Sequence, residues 1–309
     1  MSEQKTTLLS WSLLILLGTI WGGAFFFARI AVVEIDPITL VFMRVSIAAT
    51  AMWCFVLASK QAVPRSVGWI VRLLLLGLLN NVIPFSLIFW AQQYIPSGLA
   101  SVLNAFTPIF TMLVMQVFRG EEKLTPTKLV AAVIGISGVA IMVGTDALSG
   151  ATDQIIPQLA VLGAALSYAL AAFLIMRLQK LPPATLATGQ LSASTLLLIP
   201  ALFFTAPTQQ LLNASLLTWA STLVLALICT AFAYILYFQL FKLAGATKAA
   251  SVTLLIPVSA IILGAVFLNE RLEANHWAGM IAIFVALLLI DGRLKFSFAR
   301  QTTRTEPNH

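Results

Sequence analysis

Charge is what this sequence has least of. Charged residues make up 9% of 309 positions, hydrophobic residues 60%, and the mean hydropathy is +0.98. Soluble domains run near a quarter charged, because a globule needs a solvated surface; this chain lacks the charge to cover one. Cysteine is scarce too. Cys54 and Cys229 both lie in apolar runs with no Cys or His at ligand spacing, which excludes a disulfide framework and a metal site. Each reads as a small buried hydrophobe. There are two histidines, His276 and the terminal His309, and no Asp, Glu or His deep inside a long apolar run. No Walker A pattern is present, so direct use of ATP is excluded and no cofactor is implied. A net charge of +7 is compatible with nucleic acid only if the basic residues share a face. Here they sit in short loops between apolar runs, which is the membrane pattern.

What is present is a series of apolar stretches. A membrane span needs about 17–25 mostly apolar residues, given a rise of about 1.5 Å per residue and a hydrocarbon core about 30 Å thick. Ten candidates lie near 8–28, 37–58, 69–90, 97–118, 127–145, 157–176, 184–204, 215–239, 249–268 and 275–291. Pro37, Pro96, Pro126, Pro157 and Pro183 fall where helices should begin, positions at which the missing N–H costs nothing. The first stretch follows Lys5 and is too long for a signal-peptide core. Phe25-Phe26-Phe27 stands where a cleavage site needs small residues, so the stretch is expected to be retained. The fold class expected is therefore an all-α polytopic membrane protein of ten transmembrane helices.

The basic residues orient those helices. With the N-terminus inside, cytoplasmic segments hold 15 of the 18 Lys and Arg residues, from Lys5 to Arg304. Outer loops hold only Arg29 and Arg271, and Arg44 lies within a span. That asymmetry predicts an inner-membrane protein with both termini cytoplasmic and an even number of spans.

The two halves of the chain repeat one design. Pro37-Ile38-Thr39-Leu40 returns as Pro183-Ala184-Thr185-Leu186, and Ala100-Ser101-Val102 as Ala250-Ser251-Val252. Pro108 is answered by Pro257, and Glu122-Lys123-Leu124 by Glu270-Arg271-Leu272. Five spans per half is an odd number, so the halves enter the membrane in opposite senses, an inverted repeat that suits alternating access. The expected units are residues 8–145, residues 157–291 and a cytoplasmic tail, 292–309.

At these residues the chain resembles the EamA branch of the drug/metabolite transporter superfamily. The resemblance rests on Leu17-Gly18-Thr19-Ile20-Trp21-Gly22-Gly23, on Arg44 seven residues after Pro37, and on the paired Glu-Lys/Arg-Leu signatures. Ala233-Tyr234-Ile235-Leu236-Tyr237 adds to it, and the likeness covers roughly residues 10–291. It implies a bundle whose cavity is lined by spans 1–4 and 6–9, with spans 5 and 10 peripheral. It also implies export or exchange of small metabolites, often amino acids. The smaller multidrug members rely on a carboxylate in span 1, and this span has none, which argues against that route of proton exchange.

Several residues are candidates for the substrate path. Arg44 is the only ionisable residue well inside a span, about 10 Å from the outer end. A charge there costs at least about 2.5–3.5 kcal/mol, so it is expected either to meet a substrate anion or to pin neighbouring helices. Gln190 is its counterpart in the second half. Pro84, Pro108 and Pro257 each remove the hydrogen bond to a carbonyl four residues earlier, on Asn80, Asn104 and Thr253. Freed carbonyls cannot face lipid, so these three residues are expected at a wet cavity or against protein. Trp21, Trp90, Tyr168, Tyr234 and Tyr237 are candidate cavity walls, whereas Trp53, Trp69, Trp219 and Trp277 read as belt anchors. Gly18 and Gly22 have the spacing of a close helix contact.

The function expected is transport of small metabolites such as amino acids, by facilitated diffusion or exchange. Efflux of cationic drugs is the alternative, and Arg44 fits an anionic or zwitterionic solute better. A membrane enzyme would need a clustered acid–base or metal constellation, and a binding protein would need less machinery. The partners implied are a small-molecule substrate and the lipid bilayer, with no nucleic acid. A monomer and a homodimer are both compatible with the sequence.

Overall fold

The computed structural model describes residues 3–63, 66–95, 97–118, 125–143, 155–178, 180–205, 207–259, 262 and 274–290. Its regular elements are helices: α1 (Glu3–Ala31), α2 (Pro37–Ala58), α3 (Val67–Gly77), α4 (Ile83–Ala91), α5 (Ser97–Asn104), α6 (Thr107–Val117) and α7 (Pro126–Val143). The second part of the chain supplies α8 (Ile155–Leu178), α9 (Pro183–Leu202), α10 (Pro207–Asn213), α11 (Leu216–Ala226), α12 (Ala233–Ala250) and α13 (Ala274–Ile290). A π-helical turn, Leu78–Val82, joins α3 to α4, and a second, Leu227–Phe232, joins α11 to α12.

Among the described residues, seven helical stretches are long and apolar enough to cross a membrane: Leu8–Ala31, Pro37–Ala58, Val67–Ala91, Leu99–Val117, Ile155–Leu178, Pro183–Leu202 and Leu216–Ser259. Pro126–Ile141 and Trp277–Ile290 are shorter apolar helices. The chain is a polytopic membrane protein. The count differs from ten for identifiable reasons. The fifth and tenth expected spans coincide with the two shorter helices. The eighth and the beginning of the ninth fall together on Leu216–Ser259, 44 residues long and far beyond the roughly 20 that a bilayer needs. That stretch is not one straight rod, because Gly245 has φ 81° and ψ 175°, a conformation that side chains disfavour. The remainder of the ninth span, the signatures after spans 4 and 9, and the tail lie outside the described residues.

The expected starts hold at Pro37, Pro126 and Pro183. Asp36 caps α2, its Oδ1 accepting from the Ile38 N–H at 2.9 Å and the Thr39 N–H at 3.4 Å. Pro157 is different: α8 begins two residues earlier, which a proline in the first turn tolerates. Pro96 lies outside the described residues.

Packing runs mostly between the first five spans and the rest. α2 and α3 lie on α9, α4 and α6 on α8, and α1 on α11 and α12. A Cβ on Gly18 would sit 2.5 Å from the Leu255 Cβ, so the close approach expected of span 1 is made to Leu255. α7 and α13 form a pair, and at Gly138 a Cβ would lie 2.9 Å from both the Gly279 oxygen and the Ala282 Cβ. Large apolar side chains such as Phe203, Phe204 and Leu216 stand exposed on the outside, where lipid would cover them.

A central cavity as the candidate functional site

Between these helices lies a partly open cavity, whose unfilled space is about 750 Å³ when the solvent at its mouth is included. Three helical stretches line it with the same pattern. α1 contributes Trp21, Ala24, Phe25 and Ala28; α4 contributes Phe85, Ile88 and Phe89, followed by Gln92; the stretch after Gly245 contributes Ala249, Val252, Thr253 and Ile256. Each set steps i, i+3, i+4, i+7, which is one face of a helix. Arg44, Asn80, Asn104, Thr107, Tyr168, Tyr234 and Tyr237 complete the wall with Ala250.

Arg44 is 5% exposed and is held from two sides. Its Nε donates to the Thr230 Oγ1 at 2.6 Å and one Nη to the Cys229 carbonyl at 3.4 Å. Its guanidinium carbon lies 3.9 Å from the Phe85 ring centroid and 5.7 Å from that of Phe89. Hydrogen bonds from a charged group contribute roughly 1.5–3 kcal/mol each, and a desolvated cation–π contact about 2. Together they offset a cost of at least about 2.5–3.5 kcal/mol for a charge at this depth and pin Arg44 between the two halves. They do not exhaust the side chain. A guanidinium has five N–H donors, and the other Nη has no hydrogen-bond partner among the described residues.

The prolines act as expected on the backbone, but protein takes up what they free. The Asn80 carbonyl accepts from the Tyr234 hydroxyl at 3.3 Å, and the Asn104 carbonyl from the Thr107 hydroxyl at 2.6 Å. Both residues line the cavity while their carbonyls lie against protein hydroxyls. The side chains differ. Asn80 Nδ2 donates to the Gln190 Oε1 at 3.0 Å, whereas the buried Asn104 Oδ1 has no partner.

Eight of the residues singled out from the sequence meet at the cavity: Arg44, Asn80, Asn104, Trp21, Tyr168, Tyr234, Tyr237 and Thr253. Gln190 is fully buried one layer behind, on Asn80. Trp90 points elsewhere, its ring 5.1 Å from that of Tyr94. The Trp53 indole N–H donates to the Ser192 hydroxyl at 2.9 Å. Sequence reasoning missed Phe85, Phe89 and Gln92. The signal was available, because they share one helical face directly after Pro84, at i, i+4 and i+7 from Phe85. Gln92 is fully buried, its Nε2 3.5 Å from the Phe25 carbonyl and its Oε1 without a partner.

Comparison with known proteins places this architecture. The profile of the EamA-like transporter family matches the chain twice, over residues 9–144 and 155–291. The chain belongs to the EamA-like transporter family. It is 25% identical over 289 residues to the transporter YvbV of Bacillus subtilis, covering 92% of each chain. It is 24% identical to the protein PecM of Dickeya dadantii, covering 90% of this chain and 91% of PecM. It is 26% identical to a probable amino-acid metabolite efflux pump of Escherichia coli K12, covering 90% of this chain and 93% of that one. One solved crystal structure superposes with a TM-score of 0.73 over 94% of this chain and 98% of its own, at 16% identity, a likeness of fold alone.

Proposed function

We propose that this member of the family exports or exchanges a small zwitterionic metabolite, of the amino-acid class, through the central cavity. The observation that carries the reading is the polar set of that cavity. A guanidinium with free N–H groups at Arg44 stands with two partnerless amide oxygens, Gln92 Oε1 and Asn104 Oδ1. A carboxylate suits the first and an ammonium the other two. Trp21, Phe25, Phe85, Phe89 and Tyr237 surround them with apolar surface for the rest of the solute. The amino-acid metabolite efflux pump among the relatives agrees with this class.

In this reading the chain forms ten transmembrane helices as two inverted repeats, 8–145 and 157–291, with both termini and the 292–309 tail in the cytoplasm of a cell whose inner membrane holds it. The double family match, the repeated sequence motifs and the distribution of Lys and Arg support it. The cavity follows α1 from Trp21 toward its C-terminal end at Ala31 and α4 from Phe85 to its C-terminal end. The named relatives are transporters and an efflux pump, and the cavity's side chains are suited to binding and release rather than to catalysis.

Thermal stabilisation tests the reading. Amino acids, organic acids, nucleosides and cationic drugs are screened against wild type, Arg44→Gln and Asn104→Leu. A ligand at a hundred times its dissociation constant adds about 2.7 kcal/mol to stability. The expected result is stabilisation of wild type by an amino acid, lost in Arg44→Gln and weakened in Asn104→Leu, with flux of the same solute in proteoliposomes. Stabilisation of all three proteins by a cationic drug alone would replace this reading with drug efflux.

A further inference from the structure

The two π-helical turns are clasped reciprocally. At the first, groups of the turn are held by side chains from the second part of the chain. The Ser167 hydroxyl donates to the Leu79 oxygen at 2.7 Å and the Tyr234 hydroxyl to the Asn81 Oδ1, while the Asn81 Nδ2 donates to the Ser194 hydroxyl at 2.7 Å. At the second, side chains from the first part do the same. The Trp21 indole N–H donates to the Cys229 carbonyl at 3.1 Å, and Arg44 reaches the same carbonyl and the Thr230 hydroxyl.

The partners correspond by position. Arg44 and Gln190 are separated by 146 residues, the offset of Pro37 and Pro183. Asn80 and Cys229, like Asn81 and Thr230, are separated by 149, the offset of Pro108 and Pro257. One half's span 2 therefore holds the other half's π-turn, and its counterpart, span 7, holds the first. The two clasps differ in charge. Gln190 accepts from Asn80, a neutral bond, whereas Arg44 grips Thr230 with a cation.

A π-turn carries one residue more than the α-helical ladder accommodates, so a helix has two arrangements there, with the turn kept or absorbed. Absorbing it turns the rest of the helix by about 100°, the angle per residue at 3.6 residues per turn. The clasp decides between the two arrangements, and Arg44, which makes the second clasp, also lines the cavity. A carboxylate drawn to the free Nη of Arg44 pulls the guanidinium away from Thr230 and Cys229.

We propose that the π-turns are the joints on which the transporter moves, and that Thr230 is the positioning residue by which Arg44 keeps the α11–α12 joint shut until a ligand binds. This rests on the transport reading and on the two-half repeat. Cys229 is a native reporter: it is 2% exposed, and its thiol donates to the Ile20 carbonyl at 3.4 Å while the joint is shut.

The experiment uses full-length protein in proteoliposomes, with the exposed Cys54 replaced by Ser so that a membrane-permeant maleimide reads Cys229 alone. Without solute, Thr230→Val is expected to label roughly tenfold faster than the parent, the loss of one charge-assisted hydrogen bond. Thr230→Ser, which restores the hydroxyl, should return to the parent rate. In counterflow of an amino acid, Thr230→Val should change the maximal rate about tenfold and leave KM within about threefold. Gln190→Leu, at the other joint, should alter the rate without exposing Cys229. Equal labelling of Thr230→Val and parent overturns the proposal, and so does a raised KM at unchanged maximal rate, which would make Thr230 a substrate contact. Faster labelling of Thr230→Val with no counterflow of any solute by the parent sustains the lock and overturns the transport reading instead.

Discussion

The Phe85 ring lies flat under Arg44, 3.9 Å from centroid to guanidinium carbon, while Phe89, stacked beside it at 10°, is 5.7 Å from the same carbon. Distance makes Phe85 the stronger partner. Phe85→Leu keeps the apolar surface and loses the π face, and is expected to destabilise the protein by about 1–2 kcal/mol. Phe89→Leu should cost distinctly less. Thermal unfolding of both variants in detergent checks the order; equal losses would mean that packing, not the cation, is what the rings supply.

Gln92 and Asn104 carry the partnerless oxygens of the cavity. Gln92→Leu and Asn104→Leu are each expected to weaken binding of an amino acid about tenfold, the value of one hydrogen bond to a charged group. Binding of the corresponding carboxylic acid without its amino group should change little in either variant. Calorimetry with such a pair of ligands separates the ammonium end of the site from the carboxylate end.

Why Gln92 escaped the sequence reading while Asn80 and Asn104 did not is a matter of helix geometry. A proline flags the carbonyl four residues back, so Pro84 and Pro108 pointed to Asn80 and Asn104 directly. Depth and polarity flagged Arg44. Nothing local says which side of a helix faces inward, and one residue's step turns the side chain by about 100°. Phe89 faces the cavity and Trp90, equally aromatic and equally deep, does not. The face becomes readable only when an anchor such as Trp21 or Pro84 is extended by threes and fours, which brings in Phe25 and Ala28, or Ile88 and Gln92. The π-turns were illegible for another reason. The second has no proline; Thr230 donates to the Leu225 carbonyl five residues back at 2.7 Å, a choice made by tertiary packing.

At the Ala31 end of α1, Glu34 accepts the Ser215 backbone N–H at 2.7 Å and so ties the loop after α1 to the start of α11. That backbone bond first, and the Ser215 hydroxyl second, hold the Glu34 carboxyl below its ordinary value of 4.5. A carboxylate depressed in the folded state stabilises above its unfolded value and stops doing so as pH falls through the folded one. Wild type should therefore exceed Glu34→Gln in thermal midpoint by a small, constant margin at neutral pH. The margin should close as pH drops below 4.5. A margin that grows on acidification would show the opposite shift.

The cavity wall contains no Asp, Glu or His among the described residues. Without a group that changes charge near neutrality, an imposed proton gradient has nothing to act on in the path. Solute exchange is expected to run at the same rate from pH 6 to 8, and a pH gradient across proteoliposomes should not drive accumulation. Uphill uptake driven by such a gradient would place a coupling acid elsewhere in the chain.

The pairing of α7 with α13 also sets a schedule for biosynthesis. The surface of α7 that meets Gly279 and Ala282 is complete when residue 143 has been made, yet its partner begins at residue 274. At about 5–20 residues per second, the ribosome takes on the order of ten seconds to cover that interval. For that time the surface of α7 around Gly138 lacks its helix partner, and a chain truncated before α13 leaves it so permanently. α13, the last of the described helices, closes a seam left open since the middle of synthesis.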